Sequence, residues 1–199
     1  MPATAPCATA RSRDQGRCEK AVTLVRHETG TLPLDRSKKI AVLGFSNGFE
    51  GPATMAPLVR SLRAEKLEFT SVYLQENSLP DQVEAARKAA SEADIVIAGL
   101  YGRVRTGAKN SVGIPDNGAA ILRDALASNK QVIGISFGNP YLLSSFPQLS
   151  TYLVAYGDMP SLQRAAGRSL MGMQNITGKL PISLPGLHSR GTGIQVTVR

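Results

Sequence analysis

From Lys38 to Pro185 the chain alternates short apolar runs with segments of helical spacing, and that alternation leaves few folds open. KKIAVLGFS (38–46) is a continuous apolar run ending in Gly and Ser. A strand buried on both faces reads this way, because neither face has to be polar. GPATMAPLVRSLRAEKL (51–67) follows with Met55, Leu58, Val59 and Leu62 at helical spacing. FTSVYLQ (69–75) reads as a strand, and PDQVEAARKAASEA (80–93) as a helix whose Pro80 and Asp81 suit its first turn. The pattern then repeats. ADIVIAGLYG (93–102), QVIGISFGNP (131–140) and STYLVAYG (150–157) read as strands, and 116–130 and 159–173 as helices, with a short helical turn at YLLSSF. Strands joined through helices by short connections predict an α/β fold, a three-layer α/β/α sandwich on a six-stranded, mainly parallel sheet.

The sixth strand is expected in GKLPISLP (178–185). Proline cannot donate to a ladder, so a proline-bracketed strand belongs at a sheet edge. The spacing places an edge strand near 180–184, with an antiparallel direction favoured. The chain then divides into a flexible arm (1–18), a linker packing on the outside of the sandwich (19–37), the sandwich (38–187) and a C-terminal tail (188–199). In that tail IQVTV alternates and would either add a strand or dangle.

Net charge is +8, yet it is concentrated at the chain ends. Residues 41–159 carry ten basic and eleven acidic side chains, and aromatic residues make up 5% of the chain. A balanced middle without stacking residues argues against nucleic-acid binding. No apolar run approaches the roughly 20 residues of a membrane span. The first residues lack the apolar stretch of a secretory signal, which makes a cytoplasmic location the default expectation. Cys7 and Cys18 have no ligand-spaced His or Cys beside them, so neither a metal nor a cofactor is expected.

Several motifs carry possible chemistry. GISFG (134–138) matches the G-x-S-x-G nucleophile elbow, with Ser136 as nucleophile and Asp158 and His188 following in triad order. Asn139-Pro140 removes an N–H donor where the helix behind an elbow should begin, so Ser136 reads more simply as a strand residue. A small serine esterase nevertheless stands as the enzyme alternative. GRVRTGAKNS (102–111) nearly spells a phosphate loop, but Lys109 is displaced by one place and Asn110 replaces the hydroxyl residue. At the carboxyl end of a strand, Arg103, Arg105, Lys109 and Asn139 are candidate ligand or interface contacts. Glycosidase chemistry needs two carboxyl groups flanking the bond, and Glu50 and Glu76, each following a strand, would look into a shared cleft; surface carboxylates are common, and neither is taken as catalytic. His27 and His188 are isolated. Asn175-Ile176-Thr177 is a glycosylation acceptor only in a secreted chain.

QRAAGRSLMGMQNITGKLPISLP (163–185) resembles the closing segment of the C-terminal domain of glycoside hydrolase family 3. AVTLVRHETGTLPLDRSKKIAVLGF resembles that domain's entry, and ADIVIAGLY, QVIGISFGNPYLL and TYLVAYGDMPSLQRAAGRSLMG resemble its later strands and helix in order. The resemblance covers residues 19–187 and is nearest to the β-N-acetylglucosaminidase branch. It implies a six-stranded sandwich that follows a TIM barrel holding the nucleophile. It also implies that many β-glucosidase members draw an acid/base glutamate from the loop after the third strand. Here that loop, from Tyr101 onward, has no carboxylate before Asp116. The N-acetylglucosaminidase branch, with its acid/base on a barrel loop, fits this departure, and no catalytic residue is carried over. The expected partners are a TIM-barrel catalytic domain and an N-acetylglucosamine-containing glycan. A free-standing carbohydrate- or partner-binding module is the binding alternative. A face meant for a barrel would leave exposed apolar surface.

Overall fold

The computed structural model describes residues 16, 18, 20–107, 109–128 and 130–198. The arm expected over 1–18, Cys7 included, lies outside the described residues apart from Gly16 and Cys18. Strands β1 (Thr23–Arg26), β2 (Ile40–Ser46), β3 (Thr70–Gln75), β4 (Ile95–Tyr101), β5 (Gln131–Ser136) and β6 (Thr151–Val154) form one sheet, in the order β1-β6-β5-β4-β2-β3. All neighbours are parallel except β1, which runs antiparallel to β6.

Helices α1 (Ala56–Ala64) and α4 (Pro160–Leu170) cover one face, and α2 (Pro80–Glu92) and α3 (Asp116–Ala127) cover the other. The strand period assigns each side chain to a layer. Ala41, Leu43 and Phe45 of β2 pack with Ala86, Ala90, Ile121 and Leu122. Ile40 and Val42 of the same strand pack with Leu58, Leu62, Ala166 and Leu170. This is why β2, β4 and β6 are buried along their whole length and show no polar alternation.

The edge strand differs from the expectation. Residues 180–184 make no strand in the sheet, and the antiparallel edge is Thr23–Arg26 from the segment read as a linker. Pro181 supplies no N–H, so a ladder started at Leu180 stops there. The Leu180 N–H instead donates to the Thr192 carbonyl (2.8 Å), and the Leu184 N–H to the His188 carbonyl (2.7 Å). The closing segment caps the edge by its side chains. Ile176 is buried with the α1/α4 layer, while Leu180 and Leu184 are buried with the α2/α3 layer, so the segment crosses from one face of the sheet to the other. Gly178 permits the crossing, since a Cβ there would lie 2.4 Å from the Val22 carbonyl oxygen. The tail is docked too, with Ile194 bridged antiparallel to Leu24 on the outer side of β1.

Candidate functional site

Every crossover between parallel strands delivers its loop to the same end of the sheet, the usual place for contacts in this architecture. At that end Asn47, fully buried just past β2, fixes the loop after β4. Its Nδ2 donates to the carbonyls of Arg103 and Asn110 (both 2.8 Å), and its Oδ1 accepts from the Arg103 N–H (3.0 Å). Beneath lies Gln163, 1% exposed. Its Nε2 donates to the Thr54 and Asp158 carbonyls, and its Oε1 accepts from the Tyr101 hydroxyl and the Leu58 N–H. Neither Asn47 nor Gln163 is among the sequence candidates. The only available signal was a polar side chain directly after, or within, an otherwise apolar buried stretch.

Two of the basic loop's three cations are paired with carboxylates. Arg103 spans two neighbouring loops, with Nη1 on Glu50 Oε1 (2.6 Å) and Nη2 on Asp158 Oδ2. The hydrogen bond to Asp158 is the main reason the Arg103 guanidinium stays charged beyond its ordinary range. Lys109 pairs with Asp116, which raises the ammonium and lowers the carboxyl. Asn110 Nδ2 donates to Glu76 (3.0 Å). Arg105 donates to the Asn47 carbonyl and lies 4.5 Å above the Phe49 ring centroid. With these cations engaged, the near-phosphate-loop spacing builds no anion cradle.

The esterase constellation does not assemble. Ser136 is fully buried on β5 and donates to the Asn139 carbonyl (2.8 Å). Asp158 pairs with Arg103, and His188 Nε2 accepts from Arg26 Nε (3.3 Å). The glycines of GISFG serve close packing. A Cβ on Gly134 would lie 2.9 Å from Leu149 Cδ1, and one on Gly138 would lie 2.4 Å from the Gly102 carbonyl oxygen. That last approach brings the loops after β4 and β5 together. Asn139 completes the joint, with Nδ2 donating to the Val112 carbonyl (2.8 Å) and Oδ1 accepting from the Tyr141 N–H (3.0 Å).

Between these loops lies an open groove of about 660 Å³, bordered by Arg103, Val104, Val112, Phe137, Tyr141 and Asp158. A hollow of about 750 Å³ at the opposite end of the sheet, among Lys38, Lys39, Glu68 and Lys88, holds ordinary solvated charges and no buried polar group. Exposed apolar side chains favour the carboxyl end. Of the eight large hydrophobic residues exposed among the described residues, Phe49, Leu79, Val104, Val112, Tyr141 and Met159 all follow strand carboxyl ends. No group of three or more His, Cys, Asp or Glu side chains among the described residues is placed to hold a metal ion. No described helix is long and apolar enough to cross a membrane.

Solved structures share this fold. A glycoside hydrolase family 3 β-N-acetylglucosaminidase from Paenibacillus sp. str. FPU-7 superposes with TM-score 0.73 at 20% identity, over 92% of this chain and 35% of its own. A fungal multi-domain β-N-acetylglucosaminidase of the same family gives TM-score 0.71 at 23% identity, over 92% of this chain and 20% of its own. A β-glucosidase from Listeria innocua gives 0.69 at 17%, over 90% of this chain and 27% of its own. The chain thus spans about a third or less of each of these structures. No curated protein matches it significantly. Residues 22–193 match the family model for the glycosyl hydrolase family 3 C-terminal domain, and the chain belongs to that family.

Proposed function

We propose that this chain is the accessory α/β domain of a family 3 β-N-acetylglucosaminidase, one that hydrolyses O-glycosyl bonds, and that its carboxyl-end face docks on a TIM-barrel catalytic domain to complete the sugar cleft. The observation that carries the reading is the gathering of Phe49, Leu79, Val104, Val112, Tyr141 and Met159 at one end of the sheet. Large apolar side chains left exposed at one end of an otherwise well-buried domain mark an interaction surface. The share of each neighbouring chain left uncovered leaves room for the partner.

The domain supports and does not react. Retaining hydrolysis needs two carboxyl groups roughly 5 Å apart, one of them a free nucleophile. Here Glu50 and Asp158 are both committed to Arg103, and Asp116 to Lys109. The loop after β4 offers no carboxylate before Asp116. Two of the solved structures that share this fold are N-acetylglucosaminidases, which supports the branch.

The test is complementation. A family 3 N-acetylglucosaminidase barrel lacking its own C-terminal domain, fused ahead of this chain, is expected to recover turnover of p-nitrophenyl N-acetyl-β-glucosaminide. The chain alone should show none. Val104→Asp with Val112→Asp should abolish the recovery while leaving the domain folded. Turnover by the isolated chain, lost in Glu50→Gln, would overturn the reading.

A further inference from the structure

We propose that the open edge of the sheet at β3 pairs with an extended segment of a partner protein, one whose side chains alternate between acidic and apolar.

The two edges of the sheet are built differently. β1 has four residues, its register slips between Leu24 and Arg26, and Ile194 of the tail bridges its outer side. A short, bulged and covered edge resists a further strand. β3 has none of these protections. Thr70–Gln75 stays in unbroken parallel register with Ala41–Ser46 of β2, and TSVYLQ contains no proline and no charged residue. Among the described residues, no strand or bridge lies beyond it. Alternate N–H and C=O groups of β3 therefore point away from β2 and form a template for one more strand.

The flanks fit the side chains of such a strand. Hollows of about 750 Å³ and 370 Å³ share Val72 and Ala85, so they run together along the outside of β3. The smaller is walled by Met55, Val59 and Tyr73 on the α1 side, with Arg63 held 5.6 Å above the Phe69 ring centroid. The larger lies toward α2 and sets Arg36, Lys38, Lys39 and Lys88 against Glu68 and Glu92. Four cations against two carboxylates build no ion site of their own, but they make this edge positive. An added strand sends alternate side chains to opposite faces of the sheet. Acidic side chains on one set meet the lysines, and apolar side chains on the other meet Met55, Val59 and Tyr73. Backbone hydrogen bonds then supply affinity, and the two hollows supply selectivity. A second copy of this chain fits less well, since it would bring the same cations to an edge that is already positive.

The experiment titrates the ¹⁵N-labelled 199-residue chain with a capped peptide of about seven residues alternating Glu and Val, at about 0.1 M salt. Saturable amide shifts are expected along Thr70–Gln75 and at Lys38, Lys39 and Ala85, with Kd of about 10–500 µM. The outward β3 amides should exchange with deuterium about tenfold more slowly in the complex. Two further peptides carry N-methyl groups on the Glu amides or on the Val amides. One should lose binding and the other keep it, because a paired strand turns only one set of its amides to β3. Replacing Glu by Lys in the peptide should weaken binding about tenfold or more. Lys38→Glu with Lys88→Glu, both on exposed side chains, should invert that preference. Val72→Lys, which places a charge on the strand, should abolish binding; where its own spectrum shows an unfolded chain, the charge-reversed pair decides. No shift along β3 at about 5 mM peptide would overturn the proposal. So would equal binding of both N-methylated peptides, which is charge adsorption only, or equal binding of the Lys peptide. Self-association of the chain through β3, blocking the peptide, would make a second copy the occupant and overturn it too. The barrel complementation stands in every one of these cases, because it depends on the carboxyl-end side chains and not on β3.

Discussion

The closing edge of the sheet and the carboxyl-end mouth are held together by different interactions. At the edge, β1, the crossing segment 176–184 and the tail are joined by backbone hydrogen bonds and by buried Leu24, Ile176, Leu180 and Leu184. At the mouth, Arg103 and Lys109 are paired in solvent, and the large apolar side chains are exposed. Apolar burial contributes kilocalories, whereas exposed ion pairs contribute tenths. The edge therefore maintains the domain. The mouth is arranged at little cost to stability and is free to serve a partner.

The sharpest way to break this contrast is Leu24→Ala at the edge. Leu24 is fully buried, and the change should cost about 2–5 kcal/mol in urea unfolding. A loss below about 1 kcal/mol would show that β1 is dispensable and the contrast unfounded. Next comes Gln163→Leu, which leaves the groups bonded to it without partners beneath the mouth. About 1–3 kcal/mol is expected, showing that the mouth stands on a rigid polar base. Arg103→Met should change stability by less than about 1 kcal/mol, because its ion pairs are solvent-exposed. A thermal melt shifted as far as that of Leu24→Ala would erase the distinction between the two regions.

The smallest effect is a pH dependence at the edge. Burial, and then the nearby Arg26 charge, lower the His188 imidazole from its ordinary value of 6.5. The neutral form is thus favoured in the folded chain, where its Nε2 accepts from Arg26. The unfolded chain takes up this proton first, so the stability contribution is present above pH 6.5 and is lost as pH falls below it toward the lowered folded value. His188→Gln should flatten the slope of stability against pH just below 6.5, by a small amount since the ring is partly solvated. An unchanged slope would show that the Arg26–His188 hydrogen bond does not stabilise the edge.

Much of the fold was legible because buried parallel strands leave an unambiguous imprint. IAVLGFS, IVIAGLY and QVIGIS have no polar face, and only helices on both sides of a sheet allow that. The sixth strand was misplaced because TLVR is four residues long and carries no more strand signal than LPISL. What separated them was which one could complete the edge beside β6, a matter of three-dimensional proximity. At the site, Arg103, Arg105, Lys109 and Asn139 do gather at one end, but reading 102–111 as a basic loop missed the carboxylates that pair with Arg103 and Lys109. Glu50, Asp116 and Asp158 lie 53, 7 and 55 positions away from the cations they meet, and no local spacing rule links the longer pairs.

The sequence by itself determined the layer order, the five parallel strands and the end of the sheet where loops collect, since these follow from the period of apolar residues and the handedness of crossovers. Only the tertiary structure decided which segment seals the edge, that GISFG is a packing motif, and that Arg103 and Lys109 of the basic loop are paired with carboxylates. Those outcomes rest on contacts between residues distant in the chain, where a missing N–H at Pro181, a Cβ-free approach at Gly138 and a carboxylate brought beside Arg103 settle what local pattern leaves open.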